Sequence, residues 1–132
     1  KTLLENLARN YKLDYTITGE GSIIAEEYRV ISIFDNILKN VYEKSLEQRD
    51  VTCKIEITAD EKNVKIGISD TGSPIEEKDR LFEPFFSTKK GGLGIGLFQV
   101  KKIVHALKGD IHVLSHAAGV TFEIVLPLRQ EV

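Results

Sequence analysis

The stretch from Glu26 to Gln48 constrains the fold most. It holds no Gly or Pro, and Val30, Ile33, Phe34, Ile37, Leu38 and Val41 recur at helical spacing, so it predicts a long helix with one apolar face. A helix of that kind must bury its stripe against something, and the segments after it supply a partner. Val51, Cys53, Ile55 and Ile57 alternate with polar residues over Val51–Ala59, and Val64, Ile66 and Ile68 do so between Lys62 and Asp70. Period-two alternation marks strands with one buried face. Asp60-Glu61-Lys62-Asn63 between them reads as a hairpin connection, which makes the two strands antiparallel.

The rest of the chain extends this pattern. Leu3, Leu4 and Leu7 suggest a short first helix, and Leu13, Tyr15 and Ile17 alternate with Asp14 and Thr16 as a strand ending at a Gly19-Glu20-Gly21-Ser22 turn. Residues 71–92 carry two of the three prolines and three glycines and read as loop. Gly94–Leu107 reads as a further helix through Leu97, Val100, Ile103, Val104 and Leu107. Asp110–Ser115 and Val120–Leu128 read as a closing strand pair turning at Ala117-Ala118-Gly119. The order α-β-α-β-β-loop-α-β-β implies an α+β, two-layer α/β sandwich: a mixed, largely antiparallel sheet with three helices on one face. Repeated parallel βαβ units are missing, which argues against a Rossmann-type domain.

Composition sets the outer limits. At 132 residues with 42% hydrophobic residues the chain is one domain, 1–132, able to bury a core without staples. Cys53 is the sole cysteine, which excludes a disulfide framework and a Cys-rich zinc site. A formal charge of −2 argues against a nucleic-acid partner, which calls for a basic excess. No apolar run approaches the ~20 residues of a membrane span, so direct membrane insertion is not expected.

Four segments can carry chemistry. Gly91-Gly92-Leu93-Gly94-Ile95-Gly96 immediately precedes or opens a helix; glycines let backbone approach a ligand, and a helix N-terminus favours an anion such as phosphate. A flexible surface hinge explains the same glycines equally well. Lys89, Lys90, Lys101, Lys102 and Lys108 lie between Pro84 and Gly109 without a single acid, which suits a polyanion, although helix-borne Lys101, Lys102 and Lys108 fit a solvated face. Asn36 and Asn40, four apart, share a helical face; their carboxamides can ligate a hard cation or donate to phosphate, or simply face water. Asp70 ends a strand before Thr71-Gly72, where it can accept from the exocyclic amine of a base or serve only the turn. Phe82, Phe85 and Phe86 follow in an apparent loop and fit either a cleft anchor or ordinary core filling.

In this order the segments resemble one family across essentially the whole chain. Asn36-Ile37-Leu38-Lys39-Asn40-Val41 resembles the N box of sensor histidine kinase catalytic domains, Asp70-Thr71-Gly72-Ser73-Pro74-Ile75 the G1 box, Phe82-Glu83-Pro84-Phe85-Phe86-Ser87-Thr88-Lys89 the F box, and Gly92-Leu93-Gly94-Ile95-Gly96-Leu97 the G2 box. The resemblance implies the Bergerat-type ATP-binding fold shared with type II topoisomerases, Hsp90-type chaperones and mismatch-repair ATPases, and ATP with Mg²⁺ as ligands. It implies that Asp70 hydrogen-bonds the adenine amino group and that Gly72 lets the strand turn past the base. Asn36 and Asn40 then organise Mg²⁺ and the triphosphate, Lys44 is a candidate phosphate contact, and Lys89 sits near the phosphates with Thr88 beside it. Gly92, Gly94 and Gly96, interleaved with Leu93, Ile95 and Leu97, present backbone N–H groups to phosphate. Ile75, at the end of the G1 box, is counted among the nucleotide-binding positions, and Phe82, Phe85 and Phe86 anchor the start of a short lid. Three positions depart from the family pattern: Pro74 replaces a G1 glycine and has no N–H, Glu43 stands where a Lys or Arg is usual with Lys44 one step on, and Val41 replaces an Ala.

Within that superfamily, hydrolysing branches carry a Glu as general base where this chain has Asn36. A carboxamide cannot act as a base at neutral pH, so the resemblance implies phosphoryl transfer to an external nucleophile rather than hydrolysis. The expected acceptor is a histidine on a separate helical dimerisation domain. His105, His112 and His116 lie in no segment resembling the family's phosphoacceptor motif. The expectation is thus a cytoplasmic catalytic domain excised from a longer, dimeric sensor kinase, one that can be anchored in the inner membrane and that feeds a response regulator, the isolated domain being monomeric. A degenerate nucleotide-binding or protein-interaction module and a serine kinase of the same superfamily remain as alternatives.

Overall fold

In a computed structural model of the chain, the structure describes residues 1–72, 82, 96–116 and 119–128, with the side chain of His116 left aside. Within these residues three helices and five strands alternate as α1 (Thr2–Asn10), β1 (Tyr15–Gly19), α2 (Glu27–Glu47), β2 (Cys53–Ala59), β3 (Asn63–Asp70), α3 (Gly96–Ala106), β4 (Asp110–His116) and β5 (Gly119–Pro127). The element order read from the sequence holds throughout. Glu26 and Gln48, at the ends of the long periodic stretch, adopt extended backbone and so bound α2 one residue inside it on each side.

The sheet runs β1-β2-β3-β5-β4. β2 with β3, β3 with β5 and β4 with β5 are antiparallel, whereas β1 pairs with β2 in parallel. That parallel pair requires a crossover, and α2 is the crossover. One βαβ unit is therefore embedded in the mixed sheet. The β2–β3 hairpin closes as read: Asp60 N–H donates to Asn63 O at 3.0 Å, and Asp60 Oδ1 accepts from the N–H groups of Lys62 and Asn63, each at 2.8 Å.

The core lies between one face of the sheet and the helices. Ile33, Phe34, Ile37, Leu38 and Val41 of α2 meet Cys53, Ile55 and Ile57 of β2, Val64, Ile66 and Ile68 of β3, and Phe122, Ile124 and Leu126 of β5. Val100 and Val104 of α3 are wholly buried in the same cluster. The other face carries polar pairs, as expected of an antiparallel sheet wetted on one side: Lys65–Glu123 at 3.5 Å, Lys54–Glu56 at 2.9 Å, and Ser69 with Thr121 at 2.9 Å.

Candidate functional site

The strand alternation that builds the core also delivers the site's carboxylate. Val64, Ile66 and Ile68 point inward, and Asp70 is the next residue of that parity. It is the one buried polar or charged residue among the described residues. Register places it opposite Cys53 on β2 and Val120 on β5. A carboxylate taken out of water needs partners, and two are present. Lys44 Nζ lies 3.0 Å from Oδ1 and 3.2 Å from Oδ2. Gly72 N–H donates to Oδ1 at 2.9 Å, the local bond that lets an Asp turn the chain two residues on. The Asp70 side chain is 3% exposed and that of Lys44 17%.

The turn after Asp70 is tied to the α2–β2 connection. Thr71 N–H donates to Thr52 O at 3.1 Å, and Thr52 N–H donates to Thr71 Oγ1 at 2.9 Å. Gly72 is packed closely: a Cβ there would come within 2.9 Å of Lys44 Cδ, 3.2 Å of Asp70 Oδ1 and 3.3 Å of Gln48 Oε1. Gly119 on β5 lies still closer to the same strand end. Its φ is +139°, and a Cβ there would sit 1.8 Å from the Asp70 carbonyl oxygen, so only glycine fits.

The second half of the site lies further back along α2. Ser32, Asn36, Asn40, Lys44 and Gln48, all half-buried, follow one another at four-residue steps, so neighbours in this row share a face. Asn36 Nδ2 donates to Ser32 O at 2.7 Å. That bond fixes the carboxamide and directs Oδ1 toward the start of α3, where a Cβ on Gly96 would lie 3.0 Å from it. The N-box and G2-box residues thus meet at Asn36 and Gly96. Asn36 and Lys44 are eight residues apart, about 12 Å along the helix, so the carboxamide and the ammonium sit at separate ends of the row. A donor set of carboxamide oxygens fits a hard cation.

Phe82 packs on the core, with Lys101 Nζ 5.4 Å from its ring centroid. Leu97 packs on the same core from α3. Lys102 Nζ lies 5.4 Å from the Phe98 ring, so both helix lysines are engaged with aromatic faces. Ile75, Phe85, Phe86, Thr88, Lys89, Gly92, Leu93, Gly94 and Ile95 lie outside the described residues. Lys44 is placed at the carboxylate end of the row, on Asp70, rather than beside Asn36. Gln48 and Cys53, not singled out in the sequence, border the carboxylate; the four-residue step from Lys44 marks Gln48. Burial and then the Asp70 charge push the Cys53 thiol up to about 12, so it stays protonated beside the carboxylate.

The sandwich, the buried strand-end carboxylate and the paired carboxamides facing a glycine-opened helix define a purine-nucleotide-binding domain in class. The chain belongs to the family described as histidine kinase-, DNA gyrase B-, and HSP90-like ATPase, whose model matches residues 25–130, and within it to the ATP-binding catalytic domains of sensor histidine kinases. It is 36% identical over 110 residues to sporulation kinase A of Bacillus subtilis, covering 81% of this chain and 18% of that protein. It is 33% identical over 96 residues to the sensor histidine kinase CssS of the same organism, covering 71% of this chain and 21% of that protein. The chain thus spans about a fifth of the length of these relatives. The solved catalytic domain of the histidine kinase ThkA superposes with a TM-score of 0.82 at 25% identity, covering 98% of this chain and 93% of that one. Full-length ShkA, solved in complex with AMPPNP, shares the fold with a TM-score of 0.80 at 21% identity, covering 99% of this chain and 30% of that one. No helix among the described residues is long and apolar enough to cross a membrane.

Proposed function

We propose that this domain binds ATP with Mg²⁺ and passes the γ-phosphoryl group to a histidine on a separate helical domain of a longer, dimeric sensor kinase, from which a response regulator then receives it. The observation that carries the reading is the pairing of a buried carboxylate at Asp70 with a carboxamide, not a carboxylate, at Asn36 facing the start of α3. The Asp70 side chain accepts from the adenine amino group. Asn36 and Asn40 would hold Mg²⁺, which would supply charge neutralisation at the phosphates. Gly92, Gly94 and Gly96 donate main-chain N–H groups to the phosphates, and Lys89 adds a positive charge. With Asn36 unable to take a proton from water, the site orients rather than activates. The imidazole nitrogen of the incoming histidine forms the new N–P bond, the bond from the γ-phosphorus to the bridging oxygen breaks, and ADP leaves. His105 and His112 are exposed and are assigned no acceptor role.

The test mixes the domain with the parent's helical domain, supplied separately, and γ-labelled ATP. Label should appear on a helical-domain histidine, and Asn40→Ala should abolish transfer while the circular dichroism spectrum stays unchanged. Absence of any Mg²⁺-nucleotide complex by calorimetry would instead leave a degenerate interaction module.

A further inference from the structure

The contact between Lys44 and Asp70 is the closest charge–charge contact in the described site. A buried carboxylate without a counter-charge takes up a proton rather than stay ionised in a medium of low polarity. A neutral carboxyl group carries an O–H donor, whereas an ionised one is acceptor-only. We propose that Lys44 is a positioning residue that keeps Asp70 an obligate acceptor, and so makes the site select a 6-aminopurine over a 6-oxopurine. The inference rests on the reading of Asp70 as the acceptor for the base.

The groups facing Asp70 support this division of labour. From α2 comes Lys44, with its ammonium across both carboxylate oxygens. From the following turn comes the Gly72 N–H on Oδ1. From β2 comes Cys53, which burial keeps as a thiol, so it supplies no charge. From β5 comes Gly119, which approaches only the main-chain carbonyl. Among these groups only Lys44 brings a positive charge. The Gly72 bond keeps Oδ1 an acceptor whatever the protonation, so the charge decides the character of the other oxygen. Adenine presents an N–H donor at C6, and hypoxanthine presents a C=O acceptor there. An ionised Asp70 discriminates between them, and a protonated Asp70 satisfies either.

The experiment measures binding of ADP and IDP, each with Mg²⁺, by calorimetry to the wild type and to the Lys44→Met and Lys44→Arg variants, with folding checked by circular dichroism. The wild type should prefer ADP by about tenfold, the equivalent of one discriminating hydrogen bond. Lys44→Met should lower that ratio to about threefold or less, and Lys44→Arg should restore it, because only the charge is conserved. A purely architectural role, or a phosphate contact, would weaken ADP and IDP equally and leave the ratio unchanged; that result overturns the inference. Should Lys44→Met not fold, Lys44→Arg alone decides, since loss of the ADP preference despite the retained charge also overturns it. A wild type that binds ADP and IDP alike defeats the reading of Asp70 itself, and is thereby distinguished from failure of the role given to Lys44.

Discussion

Breaking the Lys44–Asp70 pair from its two ends should cost unequal amounts. Removing one partner of a buried pair costs about 3–5 kcal/mol because the other is left uncompensated. Which partner remains then matters. Lys44→Met keeps the volume but strands a carboxylate whose side chain is 3% exposed and whose remaining described bond is to Gly72 N–H; the lower end of the range, about 3 kcal/mol, applies because the lysine itself reaches water. Asp70→Asn keeps the shape and an oxygen to accept from Gly72, and leaves an ammonium that is 17% exposed and sits on a flexible stem. It can rehydrate, so the cost is about 1 kcal/mol. The double variant should cost less than the sum by about 2 kcal/mol, the coupling expected for groups in direct contact.

Urea unfolding followed by circular dichroism reads all three, provided the slope is constant so that midpoint shifts report stability. For a domain of this length about 3 kcal/mol corresponds to roughly 12 °C in Tm. The reasoning is refuted if Lys44→Met lies within 1 kcal/mol of the wild type, or if Asp70→Asn costs as much. Either result would mean that the carboxylate draws its compensation from elsewhere.

Three further perturbations follow from the same geometry. Gly119→Ala drives a methyl into the Asp70 carbonyl at a positive φ that disfavours a side chain; it should destabilise by about 2 kcal/mol or more and weaken nucleotide binding as well, whereas Gly67→Ala, with open space around its Cβ position, should leave binding unchanged in the same titration. Cys53 should resist thiol reagents at pH 8 until the domain unfolds, since it is 2% exposed with its thiol pushed up to about 12; labelling in step with native turnover, faster than unfolding, would contradict this. The Tyr11 phenol is pushed up to about 12, by burial first and then by its bond to Asp35. A group that holds its proton more tightly when folded adds stability below its unfolded value near 10 and loses it as pH rises toward 12. Tyr11→Phe should therefore flatten the alkaline fall in stability between pH 10 and 12, seen as a smaller drop in urea midpoint across that window.

The parts of the fold legible in the sequence are those governed by local periodicity. The apolar face of α2 and the alternations in β2 and β3 each repeat several times within one element, so Ile33, Ile37, Ile55 and Ile66 could be placed in the core without knowing their partners. What periodicity does not carry is pairing between distant elements. The parallel β1–β2 ladder depends on where α2 delivers the chain, and nothing in Tyr15–Gly19 encodes direction. The site divides along the same line. Asp70 could be singled out because it ends an alternating strand at a Gly-containing turn, but that its parity buries the charge is a conflict that local rules leave unresolved. Its resolution is non-local: the counter-charge arrives from a helix 26 residues earlier. Read on its helix alone, Lys44 is one more flanking lysine, which only the family resemblance makes a candidate phosphate contact. Tertiary packing lays it on the strand end, because the helix crosses the sheet with Lys44 and the capping Gln48 against the turn at Gly72. A buried acid thus predicts that some base must come to it, but which base is settled only by the crossing of two elements.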